Sequence, residues 1–102
     1  EIESLTEELG NFEISFFELA EVSPKSRKTK RLCFDAVNYI INNSELVDII
    51  MNKHILPIKE ITDNIKLNRK AIERHRKYII TAVIAITQDY PAIAEYFNMR
   101  EV

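Results

Sequence analysis

Apolar side chains recur at spacings of three and four residues along most of the chain, which is the period of a helix with one buried face. The pattern predicts helices at about 2–9, 16–22, 24–42, 45–53, 57–64, 69–88 and 91–97. One Gly and three Pro leave little of the turn chemistry that β-hairpins need. We therefore predict an all-α fold, a compact bundle of about seven helices in which a helix-turn-helix precedes a long central helix.

Local signals predict where several of these helices begin and end. The Gly-Asn pair at 10–11 suits a left-handed end to the first helix. Ser15, followed three residues later by Glu18, fits a capping box at the start of the second. Ser23 before Pro24 predicts the start of the third, because Ser is a good N-cap and Pro is tolerated at the first helical position.

The longest predicted helix begins after Asn68, a good N-cap, and continues to about Gln88, as a rod of roughly 30 Å. Ala71, Ile72, His75 and Ile79 share the inward arc of its first half. Its second half is apolar on every side, so we predict that it is the central post of the bundle. The phenylalanines also fit apolar stripes and are predicted to be core residues: Phe12, Phe16, Phe17, Phe34 and Phe97.

Residues 66–77 contain six of the fourteen cations of the chain and a single carboxylate. A helical turn of about 100 degrees per residue places most of them on one solvent-facing arc. The segment 57–80 therefore fits a helix-turn-helix, whose second helix enters the major groove of DNA. The candidates for base and nearby phosphate contacts are Arg69, Lys70, Glu73 and Arg74, and those for flanking phosphate contacts are Lys66, Arg76 and Lys77.

The chemistry of these side chains suits DNA recognition. Arg can donate two hydrogen bonds to guanine, Glu73 can accept one from the amino group of cytosine, and flanking cations neutralise phosphates without sequence preference. The alternative is that the charges only solvate a surface helix.

A second basic run opens the third predicted helix, where the positive end of the helix dipole disfavours cations. A DNA backbone or an acidic protein surface would stabilise them, and a solvated helix end without a partner is equally open. The residues of this second basic patch are Lys25, Arg27, Lys28, Lys30 and Arg31.

Length and composition predict one domain, because 102 residues with 46% hydrophobic side chains can close one modest core. The net charge of −2 conceals an asymmetry. Residues 1–21 hold seven acids and no Lys or Arg, and the other 81 residues hold fourteen cations against nine acids, a balance of +5. Because the chain begins with Glu1 and a helical period follows at once, we expect it to be an excised domain of a longer protein.

Other chemistry finds little support in the residues. Cys33 has no second cysteine to pair with and is predicted to be a buried, inert thiol, while His54 and His75 lack nearby partners for catalysis or metal binding. We therefore predict no enzyme activity, cofactor, metal or small-molecule substrate. The longest uncharged apolar stretch, 78–87, has about half the length that a membrane span requires, so no membrane insertion and a cytoplasmic location are expected.

Three segments carry a resemblance to a known family: Leu56-Pro57-Ile58-Lys59-Glu60, residues 68–80 (NRKAIERHRKYII), and Asp89-Tyr90-Pro91. Together with 22–25 (VSPK) they resemble the C-terminal domain of sigma-I type bacterial RNA polymerase sigma factors. Asn68 stands where the family often has Ser, another good cap, and Ser26 and Ala71 also depart from the family motif.

The resemblance implies a helical domain, here the whole of 1–102, that recognises the upstream (minus-35) promoter element through the side chains already selected within 69–77. The implied partners are promoter DNA, the RNA polymerase core and an anti-sigma factor, the N-terminal domain of a membrane-anchored RsgI-like protein. The rival hypothesis is a protein-interaction module whose basic faces bind an acidic partner without contacting DNA.

Overall fold

The computed structural model describes residues 2–97, apart from the side chains of Ala20, Val22, Tyr96 and Phe97. Its helices are α1 (Ile2–Gly10), a 3-10 turn (Phe16–Glu18), α2 (Leu19–Val22), α3 (Arg27–Ile41), α4 (Ser44–Lys53), α5 (Ile58–Asn64), α6 (Arg69–Arg74), α7 (Arg76–Thr87) and α8 (Pro91–Phe97). No strand occurs in residues 2–97. The predicted all-α fold is confirmed.

Helix α7 is the centre of the bundle. Its residues from Tyr78 to Ala85 are all buried, and α2, α3, α4, α6 and α8 pack against it. The one polar side chain in this buried run is Thr81, whose hydroxyl donates to the backbone carbonyl of Lys77 at 2.8 Å. Burial on every side is what an apolar helix with no polar face requires, so the predicted central post is confirmed.

The end of α1 differs from the prediction at 10–11. Turns of i to i+3 bonding carry the chain through Phe12, and the left-handed residue is Glu13, at a φ of 59°. The N–H of Ile14 then donates to the carbonyl of Leu9 at 3.0 Å, as in a Schellman ending. Gly10 has no positive φ, because burial of the Phe12 ring extends the helical winding by about one turn beyond Gly10.

The third predicted helix starts later than the sequence suggested. Ser23 ends α2, since its N–H and hydroxyl both donate to the carbonyl of Leu19, at 2.9 and 2.6 Å. The cap of α3 is Ser26, whose hydroxyl accepts from the N–H of Thr29 at 3.1 Å. Ser23 and Pro24 were therefore wrong as the start of this helix, and Lys25 lies outside it.

The predicted single rod from Asn68 to Gln88 is also wrong. His75, at φ −105° and ψ 18°, leaves the helical region and separates α6 from α7. Hydrogen bonds continue on both sides of it, since its N–H donates to Ala71 and its carbonyl accepts from Ile79, each at 3.0 Å. The basic helix is therefore attached to the central post through one non-helical residue.

The phenylalanines predicted for the core differ in their burial. The ring of Phe12 is buried and meets His54 edge to face, with ring centres 5.1 Å apart, as predicted for a core residue. Phe17, on the 3-10 turn, is 90% exposed, so its placement in the core was wrong. Phe16 and Phe34 are half-buried, and the side chain of Phe97 lies outside the described residues.

The observed cap generates a test of the α3 boundary. Ser26→Ala removes the acceptor for the Thr29 N–H and should lower the free energy of unfolding by about 1 kcal/mol. Ser23→Ala is the matched control and should cost less than about 0.5 kcal/mol, because the Leu19 carbonyl keeps its bond from the Ser23 N–H. Urea unfolding of both variants measures the difference, and a larger loss for Ser23→Ala would contradict the boundary.

Candidate nucleic-acid interface

Helices α5 and α6 form a helix-turn-helix unit that packs against α3. Ile61 of α5 and Ile72 of α6 are fully buried, and Ile65 and Leu67 in the turn are half-buried, so apolar contacts hold the two helices together as predicted. The turn is tight, since the Leu67 N–H donates to the Ile65 carbonyl at 2.9 Å, and it leaves the side chain of Lys66 exposed.

The start of α6 is set by Asn68. Its backbone is extended, at φ −67° and ψ 116°, and its side-chain oxygen accepts from the N–H of Ala71 at 3.1 Å. This confirms the predicted cap. Arg69 is consequently the first helical residue of α6, directly behind the turn.

The two sides of α6 are separated as the helical period predicted. Ile72 is buried, with Ala71 and His75 half-buried beside it. The predicted DNA-contact residues that are exposed are Lys66, Arg69, Lys70, Glu73, Arg74 and Arg76. The structure thus presents five cations and one carboxylate to solvent from the turn, from α6 and from the first residue of α7.

Arg69 and Glu73 form an ion pair one helical turn apart. The Nε of Arg69 lies 3.1 Å from Oε1 of Glu73 and donates a hydrogen bond to it. The side chains are 62% and 49% exposed, so the pair stands on the solvent side of α6. The spacing of four residues was visible in the sequence, but the role predicted for Glu73 there was a contact with cytosine.

Lys77 differs from the other cations of the run. Its ammonium lies 3.0 Å from Oε1 of Glu18, and the two side chains are only about 30% exposed. The contact joins the basic run to the 3-10 turn across 59 residues of sequence. No local signal marked this pair, and the predicted phosphate contact of Lys77 stays a prediction for a group that already has a carboxylate partner.

The environment of Glu18 stabilises its charged form. Its carboxylate accepts from the N–H of Ser15 at 3.1 Å, which completes the reciprocal contact predicted for a capping box. This bond, and then the Lys77 ammonium, lower the pKa of Glu18 below its ordinary value of 4.5. Arg76 adds a smaller effect in the same direction, so the start of α7 lies close to the acidic N-terminal segment.

The second basic patch is exposed at the start of α3, with Arg27, Lys28 and Lys30 in the first turn. Arg31 is engaged within the helix, where its Nε lies 3.3 Å from Asp35 and its guanidinium lies 5.7 Å from the centre of the Phe34 ring. Lys25 is exposed in the segment before α3. A cleft lies between the middle of α3 and the turn at 65–67, lined by Asp35, Asn38, Tyr39, Ile65, Lys66 and Leu67.

The thiol of Cys33 is fully buried on α3, and burial raises its pKa to about 12. The predicted burial of Cys33 is therefore confirmed, and a protonated, buried thiol is a poor nucleophile and metal ligand. Within residues 2–97, no group of three or more His, Cys, Asp and Glu side chains could hold a metal ion. No helix in the same range has the length and apolar character to cross a bilayer.

An all-helical domain whose exposed basic helix follows a packed turn belongs to the class of helix-turn-helix proteins. Comparison with known proteins gives a closer assignment. The chain is 42% identical over 98 residues to RNA polymerase sigma factor SigI7 of Acetivibrio thermocellus, which is 96% of this chain and 42% of that protein. It is 39% identical over 90 residues to SigI of Bacillus anthracis, covering 88% of this chain and 38% of that protein.

SigI of Bacillus subtilis is 35% identical over 98 residues, which is 96% of this chain and 39% of that protein. No protein-family model matches the chain. The matches confirm the resemblance: over nearly its whole length the chain is homologous to part of the sigma-I type RNA polymerase sigma factors. It spans about two fifths of the length of the curated relatives it matches.

The Glu18 contacts generate a prediction about acid stability. Because the folded-state pKa of Glu18 is lowered, its carboxylate stabilises the fold above pH 4.5, and that contribution is lost as pH falls through the folded-state value. Glu18→Gln should therefore unfold at lower urea concentration than the parent chain at about pH 6, with a difference that shrinks toward about pH 3.

The matched control repeats the substitution in a Lys77→Met background. There the difference at about pH 6 should be smaller, because only the Ser15 N–H remains to stabilise the charged carboxylate. A difference that is independent of pH in both backgrounds would contradict the assigned role of the pair.

Proposed function

We propose that residues 1–102 form the C-terminal domain of a sigma-I type sigma factor and bind the upstream (minus-35) promoter element during transcription initiation. The observation that supports this most directly is the exposed basic face of α6, capped by Asn68 immediately behind the packed turn at 65–67. The sigma-factor identity of the relatives supports the same assignment.

In this proposal α5 braces the unit across the DNA backbone and α6 enters the major groove, whose width accepts one helix. Arg69, Lys70 and Arg74 stand on the exposed face of α6 and reach base edges, and Glu73 lies on the same face. Lys66, Arg76 and Lys77 flank that face and neutralise phosphates. The second basic patch at the start of α3 contacts either the DNA backbone or a protein.

RNA polymerase core is the proposed partner that makes this binding productive. One small module forms few contacts with DNA and binds weakly alone. Two of the six cations of the run, Arg69 and Lys77, also pair with carboxylates of the chain itself, which reduces the positive charge available to phosphates. Tethering by the polymerase would raise the local concentration of the domain at the promoter.

An anti-sigma factor, the N-terminal domain of a membrane-anchored RsgI-like protein, is the proposed regulator, and the cytoplasm is the proposed location. The regulator would either cover the basic face of α6 or hold the domain at another surface. Amide exchange of the complex separates the two, because direct masking should slow exchange in 69–77, whereas binding elsewhere leaves these amides unchanged.

The second candidate function is a protein-interaction module that binds an acidic partner without DNA. The Glu18–Lys77 contact favours it, since it shows that a carboxylate is accepted at the edge of the basic run. The proposed promoter domain should show sequence preference in a selection from randomised duplexes, and the interaction module should show none.

A base-contact variant tests the proposed role of Arg69. Arg69→Ala should relax preference at one base position and weaken binding to the selected duplex by about 1 to 3 kcal/mol, since it removes two donors to one base. Competition binding against duplexes changed one position at a time gives both quantities. A uniform loss across all duplexes would assign Arg69 to the phosphates instead.

A second variant tests the proposed phosphate contact of Arg76, which flanks the exposed face of α6. Arg76→Ala should lower the slope of the logarithm of affinity against the logarithm of salt concentration by about 0.9, the value for one phosphate contact, and leave base preference unchanged. Lys53→Ala, which removes an exposed cation at the end of α4, is the matched control and should leave the slope unchanged. Equal effects of the two substitutions on the slope would show that Arg76 does not contact a phosphate.

A further inference from the structure

We propose that Glu73 is a positioning residue, which acts on promoter recognition through Arg69 and makes no base contact of its own. The inference rests on the proposed function and changes the role that the sequence suggested for Glu73. It assigns the base preference to the Arg69–Glu73 pair. The guanidinium of Arg69 recognises the base, and guanine is the base that its donors match.

The geometry of the pair leaves Arg69 able to recognise a base. The bond to Oε1 of Glu73 uses Nε, one of the five N–H donors of the guanidinium. The two terminal amino groups carry the other four donors, and one donor from each can form the parallel bonds that O6 and N7 of guanine accept. The carboxylate therefore holds the Nε side of the guanidinium and leaves the two terminal amino groups available for a base.

The same geometry argues against a cytosine contact by Glu73. Its Oε1 already accepts from Nε of Arg69 at 3.1 Å, and both groups lie on the exposed side of a helix of six residues. A cytosine amino group could bond to Oε2 only as a further donor to a carboxylate whose charge the guanidinium already offsets. Because both groups of the pair are ionised, whereas a cytosine amino group is neutral, the contact with Arg69 is the stronger of the two.

The electrostatic setting points the same way. Glu73 is the one carboxylate among the six cations of 66–77, and a negative charge on a face that meets phosphates weakens non-specific binding. The order of the pair, with the cation before the acid, is also the less favourable one for helix stability. Neither phosphate affinity nor the helix favours Glu there, whereas orientation of Arg69 does.

The proposal predicts that base preference and overall affinity change in opposite directions. Glu73→Ala should reduce discrimination about 3- to 10-fold at the same base position that Arg69→Ala affects, because an unheld guanidinium keeps only part of its bidentate selectivity. Binding to unrelated duplexes should rise, because a negative charge is removed. A merely structural role would lower all affinities together.

The experiment measures competition binding of the 102-residue chain to the duplex from a randomised selection and to its single-position variants. Glu73→Gln, which keeps an acceptor oxygen for Nε, should restore most of the discrimination lost in Glu73→Ala. In the double variant Arg69→Ala/Glu73→Ala, preference should equal that of Arg69→Ala alone. Glu7→Ala, at an exposed position of α1, is the matched control, and circular dichroism checks the folding of each variant.

Each other outcome overturns the inference. A changed preference at a different base position from Arg69→Ala would make Glu73 a direct base contact. An unchanged preference would make the pair irrelevant to recognition while leaving the proposed function intact. Absence of any preference in the parent chain would overturn the proposed function itself, so the two failures are distinguishable.

Discussion

Burial of α7 is the constraint on which the rest of the structure depends. Residues from Tyr78 to Ala85 have no polar face, so the helix is stable only where other helices cover it on every side. Five of them, α2, α3, α4, α6 and α8, pack against it. Helix α6 is joined to α7 through the single residue His75 and buries Ile72 in the same core. The packing of α7 therefore fixes the position of the exposed cations on α6.

This attachment gives the candidate interface its rigidity without a continuous rod. The helix-turn-helix unit is locked by apolar contacts through Ile61, Ile65 and Leu67, and its second helix is hydrogen-bonded across the bend at His75. A base-contact helix needs a defined angle to its brace more than it needs length. After His75, the first turn of α7 contacts the acidic segment 1–21, since the Lys77 ammonium lies 3.0 Å from Oε1 of Glu18.

Intramolecular ion pairs divide the basic run into two kinds of cation. Arg69 and Lys77 each have a carboxylate partner, the first within α6 and the second on the 3-10 turn, while Lys66, Lys70, Arg74 and Arg76 are exposed. Exposed cations contribute charge that any anion attracts, whereas a held guanidinium contributes direction. Charge and direction together are what a sequence-selective DNA surface requires.

The sequence by itself determined most of the helices and of the faces they bury, because helical period and capping are local. Asn68 was recognisable as a cap and α7 as the post, and the inward arc of Ile72 was correct. The start of α3 was misplaced because Ser23 and Ser26 are equally good caps in the sequence. Only the hydrogen bonds show that Ser23 ends α2 and that Ser26 begins α3.

Tertiary structure alone decided the rest. The bend at His75, the exposure of Phe17 and the pairing of Lys77 with Glu18 depend on segments that are distant along the chain. Such contacts form when helices pack, and the spacing of residues within one helix contains no information about them. The charges of the basic surface were therefore predictable, whereas their partners were not.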